Sequence, residues 1–268
     1  MNTKDLSILD RPEISEILFH PRKAPDSEPP ENAVDIEVPV SDSVRLGCRF
    51  FRTDSHLPHL LFFHGNGEIA ADYDPIGPIY NDYGLNFMVA DYRGYGKSTG
   101  APTVSAMLSD AHLVLDAALS WMENEGRTGR LWLMGRSLGS APALELAAAR
   151  PGDISGVIIE SGFAQTVSLL RHLGIDAEAL GIKESDVFSN ADKISRYTGP
   201  TLIMHAERDH IIPLDHGKTL YQASPAQSKD LEVVENANHN TLMMMAGHDY
   251  FRRIRDFIRQ SEQAAAGA

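Results

Sequence analysis

The amino-acid sequence predicts an α/β protein built on a mostly parallel central sheet, with helices on both faces and an antiparallel N-terminal hairpin. Two observations lead to this fold class. From residue 58 onward, short apolar runs alternate with segments of helical periodicity, a rhythm typical of parallel strands joined by crossover helices. Before that point, two β-rich runs at 34–40 and 44–52 are separated by Ser41 and Asp42, which favour a tight turn and hence an antiparallel pair.

Six apolar runs are the expected strands of the parallel part. They are too continuous for strands with one solvated face, so each is expected to be covered on both sides. In chain order they are LLFF (60–63), LNFMVA (85–90), RLWLM (130–134), GVIIE (156–160), TLIMHA (201–206) and DLEVVE (230–235). A helix between the second and third runs is predicted from an apolar stripe at helical spacing, formed by Met107, Leu108, Ala111, Leu115, Ala118, Leu119 and Met122.

The domain organisation is predicted from where the alternation of apolar runs and helical segments begins and where it is interrupted. Residues 1–33 form an N-terminal segment, whose part from 21 to 32 is rich in proline and charge and is expected to be an exposed connector. Residues 34–262 are expected to form one domain. Within it, about forty residues separate the fourth and fifth runs. Because one crossover helix needs fewer, 163–198 is a candidate small lid, and one packed helix with an ordinary loop is the alternative.

Composition argues against several classes of protein. The net charge of the 268 residues is −13, and the acidic residues are spread along the chain, so nucleic acid and anionic membranes are not expected partners. Cys48 is the single cysteine, which rules out an intrachain disulfide and fits a reducing compartment. The sequence contains no apolar run of about 18 residues and no signal-peptide pattern. It therefore predicts a cytoplasmic protein without a membrane span.

The segment Gly135-Arg136-Ser137-Leu138-Gly139 lies between the run RLWLM and an Ala-rich helical segment. A sharp strand-to-helix turn that carries a serine at its tip needs small residues around it, and these glycines supply them. Such a turn lifts the serine hydroxyl above the edge of the sheet, which is typical of a nucleophile. For Ser137 taken alone, an ordinary helix N-cap is the competing interpretation.

A second loop, His64-Gly65-Asn66-Gly67-Glu68, directly follows the run LLFF. Small residues there allow a backbone amide to turn toward the oxygen of a tetrahedral intermediate. The amides of Asn66 and Leu138 are the predicted oxyanion-hole donors. His64 is expected to fix the loop by hydrogen bonding rather than to transfer protons.

Chain order supplies the third indication. A nucleophile, an acid and a histidine are expected in that order, each in a loop at the carboxyl end of a strand. Asp209 follows TLIMHA and His239 follows DLEVVE, so Ser137 is predicted as nucleophile, His239 as general base and Asp209 as the acid that orients it. Glu160 also ends an apolar run and is the rival acid. Asp209 is preferred because its strand is nearest in sequence to that of the histidine.

Together these motifs resemble those of the α/β-hydrolase superfamily, in particular its small single-domain serine hydrolases. The matching segments are HGNG (64–67), DYRGYGKS (91–98), GRSLG (135–139) and DHIIP (209–213). The resemblance covers roughly residues 34–260 and implies the α/β-hydrolase fold, with DYRGYGKS as a structural loop beside the site. Asn240 and Thr241 depart from the acidic and apolar residues that often follow the histidine in this family, which leaves the hydrogen bonding around His239 open.

Neither a cofactor nor a metal is expected. The GKS at 96–98 resembles the end of a phosphate-binding loop, but Asp91 stands where that motif requires glycine, so an acidic group would occupy the cradle. The histidines at 205, 210 and 216 lack the spacing of metal-binding motifs and are better explained as packing or solvated residues.

These observations predict a serine hydrolase that cleaves a small-molecule carboxylic ester through an acyl-enzyme on Ser137. The alternative enzyme is an acyl thioesterase that acts on an acylated protein or acyl carrier. A non-catalytic, ligand-binding member of the fold is the alternative outside catalysis. The acyl and alcohol preference and the oligomeric state do not follow from the sequence.

Overall fold

The computed structural model describes residues 6–25 and 28–267. The strands are β1 (Ala33–Pro39), β2 (Arg45–Phe51), β3 (His59–Phe63), β4 (Asn86–Ala90), β5 (Leu131–Arg136), β6 (Val157–Glu160), β7 (Thr201–Ala206) and β8 (Lys229–Val234). Within the described residues they form an eight-stranded sheet in the order β1-β2-β4-β3-β5-β6-β7-β8. β2 is antiparallel to both β1 and β4, whereas the pairs from β4 through β3 to β8 are all parallel.

The predicted fold class is confirmed. Both runs of the N-terminal hairpin and all six apolar runs are strands, with ends within two residues of the predicted ones. The largest difference is at β5, which continues to Arg136 because the strand extends up to the turn that carries Ser137. The mostly parallel order means that the carboxyl ends of β3, β5, β6, β7 and β8 meet at one edge of the sheet.

The helices are α1 (Pro12–Leu18), α2 (Gly77–Asp82), α3 (Val104–Asn124), α4 (Ser140–Ala149), α5 (Thr166–His172), α6 (Asn190–Ile194), α7 (Leu214–Ala223), α8 (Leu242–Ala246) and α9 (His248–Ala266). α3 carries the predicted apolar stripe and begins after Thr103, whose hydroxyl accepts a bond from the Ala106 amide at 3.1 Å. Of the helices in the described part of the chain, none combines the length and the apolar character that crossing a membrane requires.

The two faces of the sheet bury separate apolar clusters, because successive side chains of a strand point to opposite faces. In β3, Leu61 belongs to one cluster and Leu60 to the other. Leu115 of α3 packs in the first and Ile254 of α9 in the second. Cys48 of β2 is 2% exposed in the first cluster. Burial raises the pKa of its thiol, as expected for an unreactive cysteine.

The chain between β6 and β7 contains two short helices, α5 and α6. Leu170 of α5 and Ile194 of α6 are both fully buried in the first apolar cluster, so part of this segment packs as core. Residues 21–25 and 28–32 of the expected connector are exposed or half-buried. The domain boundaries 1–33 and 34–262, and a lid at 163–198, stay predictions.

Candidate active site

Strand ends bring the three predicted catalytic residues to one edge of the sheet. Ser137 comes directly after β5, Asp209 follows β7 and His239 follows β8. All three side chains are largely buried. The parallel order of the strands thus brings Ser137 and His239 together, although they are far apart in the sequence.

Ser137 lies at the tip of a strand-to-helix turn with a backbone φ of +52°. A short 3₁₀ turn, Ser137–Gly139, leads into α4. A Cβ at Gly135 would come within 2.3 Å of the Gly139 carbonyl oxygen, and one at Gly139 within 2.0 Å of the Phe63 carbonyl oxygen. Both positions therefore require glycine. The Ser140 hydroxyl donates to the Ser137 carbonyl at 2.7 Å and supports the turn.

The imidazole of His239 connects the other two side chains. Its Nδ1 lies 2.7 Å from Asp209 Oδ2 and its Nε2 lies 2.9 Å from Ser137 Oγ. Because a carboxylate only accepts hydrogen bonds, Nδ1 carries the proton, and Nε2 is left to accept from the serine hydroxyl. Burial on its own would raise the pKa of Asp209, but the hydrogen bond and charge of His239 hold it below its usual value. The arrangement can therefore take a proton from Ser137 and stabilise the imidazolium that forms.

Asp209 is itself held in place by the loop in which it lies. Its Oδ1 accepts hydrogen bonds from the amides of Ile211 at 3.0 Å and Ile212 at 2.8 Å. Oδ2 is left to face His239. The turn formed by DHIIP is thus stabilised by hydrogen bonds between its own amides and the Asp209 carboxylate.

The predicted oxyanion-hole residues both line the cavity that contains Ser137. Leu138 is in the first turn of the 3₁₀ segment, where an amide has no acceptor within the helix. Asn66 is fixed through its side chain, whose Oδ1 accepts from the His20 amide at 2.8 Å and from the Tyr95 hydroxyl at 2.7 Å. The role of the two amides in catalysis stays a prediction.

The two rivals considered from the sequence have other partners. His64 is buried and its Nδ1 donates to the Gly65 carbonyl at 2.7 Å, while its own carbonyl accepts from the Tyr92 hydroxyl at 2.7 Å. Glu160 accepts from Arg136 Nε at 3.2 Å and from the Tyr250 hydroxyl at 2.6 Å. Burial raises the pKa of Glu160, against the opposing effect of Arg136. Its carboxylate is thus committed to partners other than His239.

A cavity of about 320 Å³ opens beside Ser137 and His239. Leu169 and Leu173 of the 163–198 segment line it, whereas Leu170 is fully buried in the core. The leucines in and just after α5 are therefore divided between the cavity and the core. The apolar lining of the cavity consists of Ile17, Leu18, Leu138, Leu169, Leu173, Ile211 and Ile212.

The sequence is similar to those of known proteins. The family model described as serine aminopeptidase, S33, matches residues 55–175. Human alpha/beta hydrolase domain-containing protein 17B is 30% identical over 233 residues, which cover 82% of this chain and 73% of that protein. The chain belongs to the α/β-hydrolase superfamily.

Two further similarities agree with this assignment. Mouse alpha/beta hydrolase domain-containing protein 17C is 33% identical over 223 residues, which cover 80% of this chain and 64% of that protein. The chain therefore spans less than two thirds of the length of that relative. The solved structure of the Pyrococcus furiosus esterase Pf2001 matches with a TM-score of 0.72 at 17% identity, over 90% of this chain and 99% of the esterase. At that identity the similarity establishes the shared fold.

Arg136 is a residue of the hydrolase site that the sequence reasoning missed. Its guanidinium pairs with Glu68, directly after the HGNG segment, and with Glu160 at the end of β6. It also donates to the His239 carbonyl at 2.9 Å and to Asn240 Oδ1 at 3.5 Å. One side chain thus joins three loops around Ser137. The position of the arginine directly before the serine was the sequence signal that could have identified it. Its bonds to the His239 carbonyl and to Asn240 also describe the hydrogen bonding around His239 that the sequence left open.

Proposed function

We infer that this α/β hydrolase is a serine hydrolase that cleaves a carboxylic ester through an acyl-enzyme on Ser137. The observation that carries the proposal is the pair of contacts made by one ring: His239 Nε2 lies 2.9 Å from Ser137 Oγ, and Nδ1 lies 2.7 Å from Asp209 Oδ2. A hydroxyl, a base and an orienting carboxylate in hydrogen-bond reach are what nucleophilic acyl transfer requires.

The proposed reaction has two halves. His239 removes the proton of Ser137 as Oγ attacks the carbonyl carbon, and then gives that proton to the departing alcohol. A water molecule, activated by the same imidazole, attacks the acyl-enzyme and releases the carboxylic acid. The amides of Asn66 and Leu138 stabilise the oxyanion in both halves, a contribution that is typically about 3 to 4 kcal/mol for each donor.

The lining of the cavity favours an uncharged acyl substrate over a peptide. The family model that matches this chain is described as an aminopeptidase, and such an enzyme needs an anion to hold the free amino group of its substrate. Among the described residues that line the cavity, Glu68 is the only acidic one. Its carboxylate is already paired with Arg136 and also accepts from the Gly65 amide at 2.7 Å. An ester is therefore the first choice.

Labelling with a fluorophosphonate probe tests the proposal directly. We expect the wild-type protein to be labelled and to hydrolyse p-nitrophenyl esters. Ser137→Ala should abolish labelling and lower kcat by about 10⁴-fold or more with an unchanged melting temperature. Ser43→Ala, at an exposed serine outside the cavity, is the matched control and should behave as wild type.

A substrate panel separates the proposal from its alternatives. Esters, acyl-CoA thioesters and aminoacyl amides with the same acyl group are compared by kcat/KM. Faster turnover of the thioesters would replace esterase with acyl thioesterase, and selective cleavage of the amides would favour a peptidase. A folded wild-type protein that neither labels nor turns over any of them would be a ligand-binding member of the fold.

A further inference from the structure

The N-terminal part of the chain contributes to the same cavity as the predicted catalytic residues. Residues 11–23, here called the leading segment, comprise α1 and the extended chain after it, and they precede every strand of the sheet. Ile17, Leu18 and His20 of this segment line the cavity with Ser137 and His239. No motif in the sequence marks this segment as part of the site.

The leading segment is anchored on two loops of the site. The His20 amide donates to Asn66 Oδ1 at 2.8 Å, and Arg22 Nε donates to the Gly67 carbonyl at 2.7 Å. Further along, the Gly96 amide donates to the Arg22 carbonyl at 2.9 Å. The segment therefore bridges the HGNG loop and the DYRGYGKS loop.

These anchors act on the residue that carries a predicted oxyanion-hole amide. Asn66 Oδ1 accepts from both the His20 amide and the Tyr95 hydroxyl. The His20 amide also donates to the same Tyr95 oxygen at 2.8 Å. Because this triangle fixes the Asn66 side chain, it also restricts the direction in which the Asn66 main-chain amide can point.

The apolar side chains of the leading segment line the cavity together with leucines from the chain around α5. Ile17 and Leu18 line one part of the cavity, and Leu169 and Leu173 near α5 line another. Ile17 is 38% exposed, so a ligand in the cavity could still remove apolar surface from water. Hydrocarbon is the ligand chemistry that such walls bind best.

We propose that the leading segment is the specificity-determining wall of the active site. Ile17 and Leu18 bind the hydrocarbon chain of the acyl group. The His20 amide, together with the Tyr95 hydroxyl of the DYRGYGKS loop, positions the HGNG loop through Asn66. This inference rests on the proposed esterase function. It assigns the substrate class as esters of acyl chains long enough to reach Ile17. The segment acts on the transition state through Asn66 and on chain length through its apolar side chains.

Acyl-chain selectivity tests the wall. kcat/KM is measured for acetate, butyrate and octanoate esters with wild type, Ile17→Ala and Leu113→Ala. Leu113 lies on α3 outside the cavity and is 37% exposed, so it matches Ile17 in exposure. Ile17→Ala should lower the octanoate-to-acetate ratio about tenfold, whereas Leu113→Ala should leave it unchanged. An unchanged ratio in Ile17→Ala would overturn the assignment of the wall.

Tyr95→Phe tests the positioning role. We expect kcat to fall about tenfold with little change in KM, because a displaced oxyanion donor weakens binding of the transition state rather than of the substrate. Tyr197→Phe, at a buried tyrosine between α6 and β7, is the control for loss of a buried hydroxyl. A fall in melting temperature without a selective fall in kcat would assign Tyr95 a purely structural role and overturn the positioning claim.

Fluorophosphonate labelling of every variant keeps this inference distinct from the proposed function. A wild-type protein that is not labelled refutes the serine-hydrolase mechanism, whatever the leading segment does. A wild-type protein that is labelled, together with an unaltered chain-length profile in Ile17→Ala, refutes only the role of the leading segment.

Discussion

Ser137 has a backbone conformation that reduces the stability of the fold. A non-glycine residue at a φ of +52° typically costs about 1 to 3 kcal/mol. The close packing of the surrounding backbone maintains this turn, and at Gly135 and Gly139 it leaves no room for a side chain. The consequence is that Oγ points to His239 instead of capping α4.

Asp209→Asn should lower kcat for a p-nitrophenyl ester by about 10⁴-fold, since an amide at this position favours the wrong imidazole tautomer. Glu160→Gln is the matched control, because Glu160 is also at the carboxyl end of a strand but bonds Arg136 and Tyr250. We expect the control to retain most of its kcat. The roles of the two acids would be reversed if Glu160→Gln alone gave the large loss.

At the scale of elements, leucines in α5 and just after it have opposite environments. Leu173, just after α5, lines the cavity, whereas Leu170 is fully buried in the core. Leu170→Ala should reduce the free energy of unfolding by about 2 to 5 kcal/mol with little effect on chain-length preference. Leu173→Ala should change the octanoate-to-acetate ratio of kcat/KM by about tenfold. Equal melting-temperature losses with unchanged ratios would mean that the whole helix is core and not part of a lid.

A partly buried ion pair joins α4 to α6. Lys193 Nζ lies 2.9 Å from Glu145 Oε2, and His112 Nε2 of α3 lies 3.9 Å from Glu145 Oε1. His112 and then Lys193 lower the pKa of Glu145 to about 2, although burial opposes them. A carboxylate with a lowered pKa stabilises the fold above its unfolded-state pKa, and this stability is lost as the pH falls through the folded-state value.

Glu145→Gln should therefore reduce the free energy of unfolding by about 2 to 3 kcal/mol at pH 7, because it leaves the buried Lys193 charge without its partner. The difference from wild type should shrink as the pH falls from about 4.5 toward about 2, where Glu145 becomes protonated. Chemical denaturation at several pH values measures it. Asp215→Asn removes the exposed pair with Lys218 and should change stability by no more than about 0.5 kcal/mol. A pH-independent difference would contradict the linkage.

Across the whole molecule, periodic features and motifs at strand ends could be predicted, whereas contacts that no local motif marks could not. Continuous apolar runs identify buried strands, and the order of strand-end loops led to Ser137, Asp209 and His239, which the structure brings within hydrogen-bond distance. The partners of Arg136 depend on where three separate loops meet, and no local pattern encodes that. Ile17 likewise belongs to a short helix whose contact with the cavity is set by packing and not by a motif.

The charge of the whole protein should influence its choice of substrate. A net charge of −13 creates a negative potential that repels acyl-CoA, whose phosphates are anionic, but not a neutral ester. Raising the ionic strength from about 10 to 200 mM screens this repulsion. We expect kcat/KM for the acyl-CoA to rise about threefold and that for the ester to stay constant. A fall with salt would instead indicate local attraction of the phosphates by positive side chains near the site.

The burial of Cys48 has a practical consequence for spectroscopy. Since the one thiol of the chain is 2% exposed, a maleimide fluorophore would react with an introduced cysteine in the otherwise unaltered protein. Met244 of α8, which is 72% exposed and follows the His239 loop by a few residues, is a suitable position. Met244→Cys would give a single-site dye on the helix that follows the His239 loop, and a change in its emission on addition of ligand would report binding in real time without a cysteine-free parent.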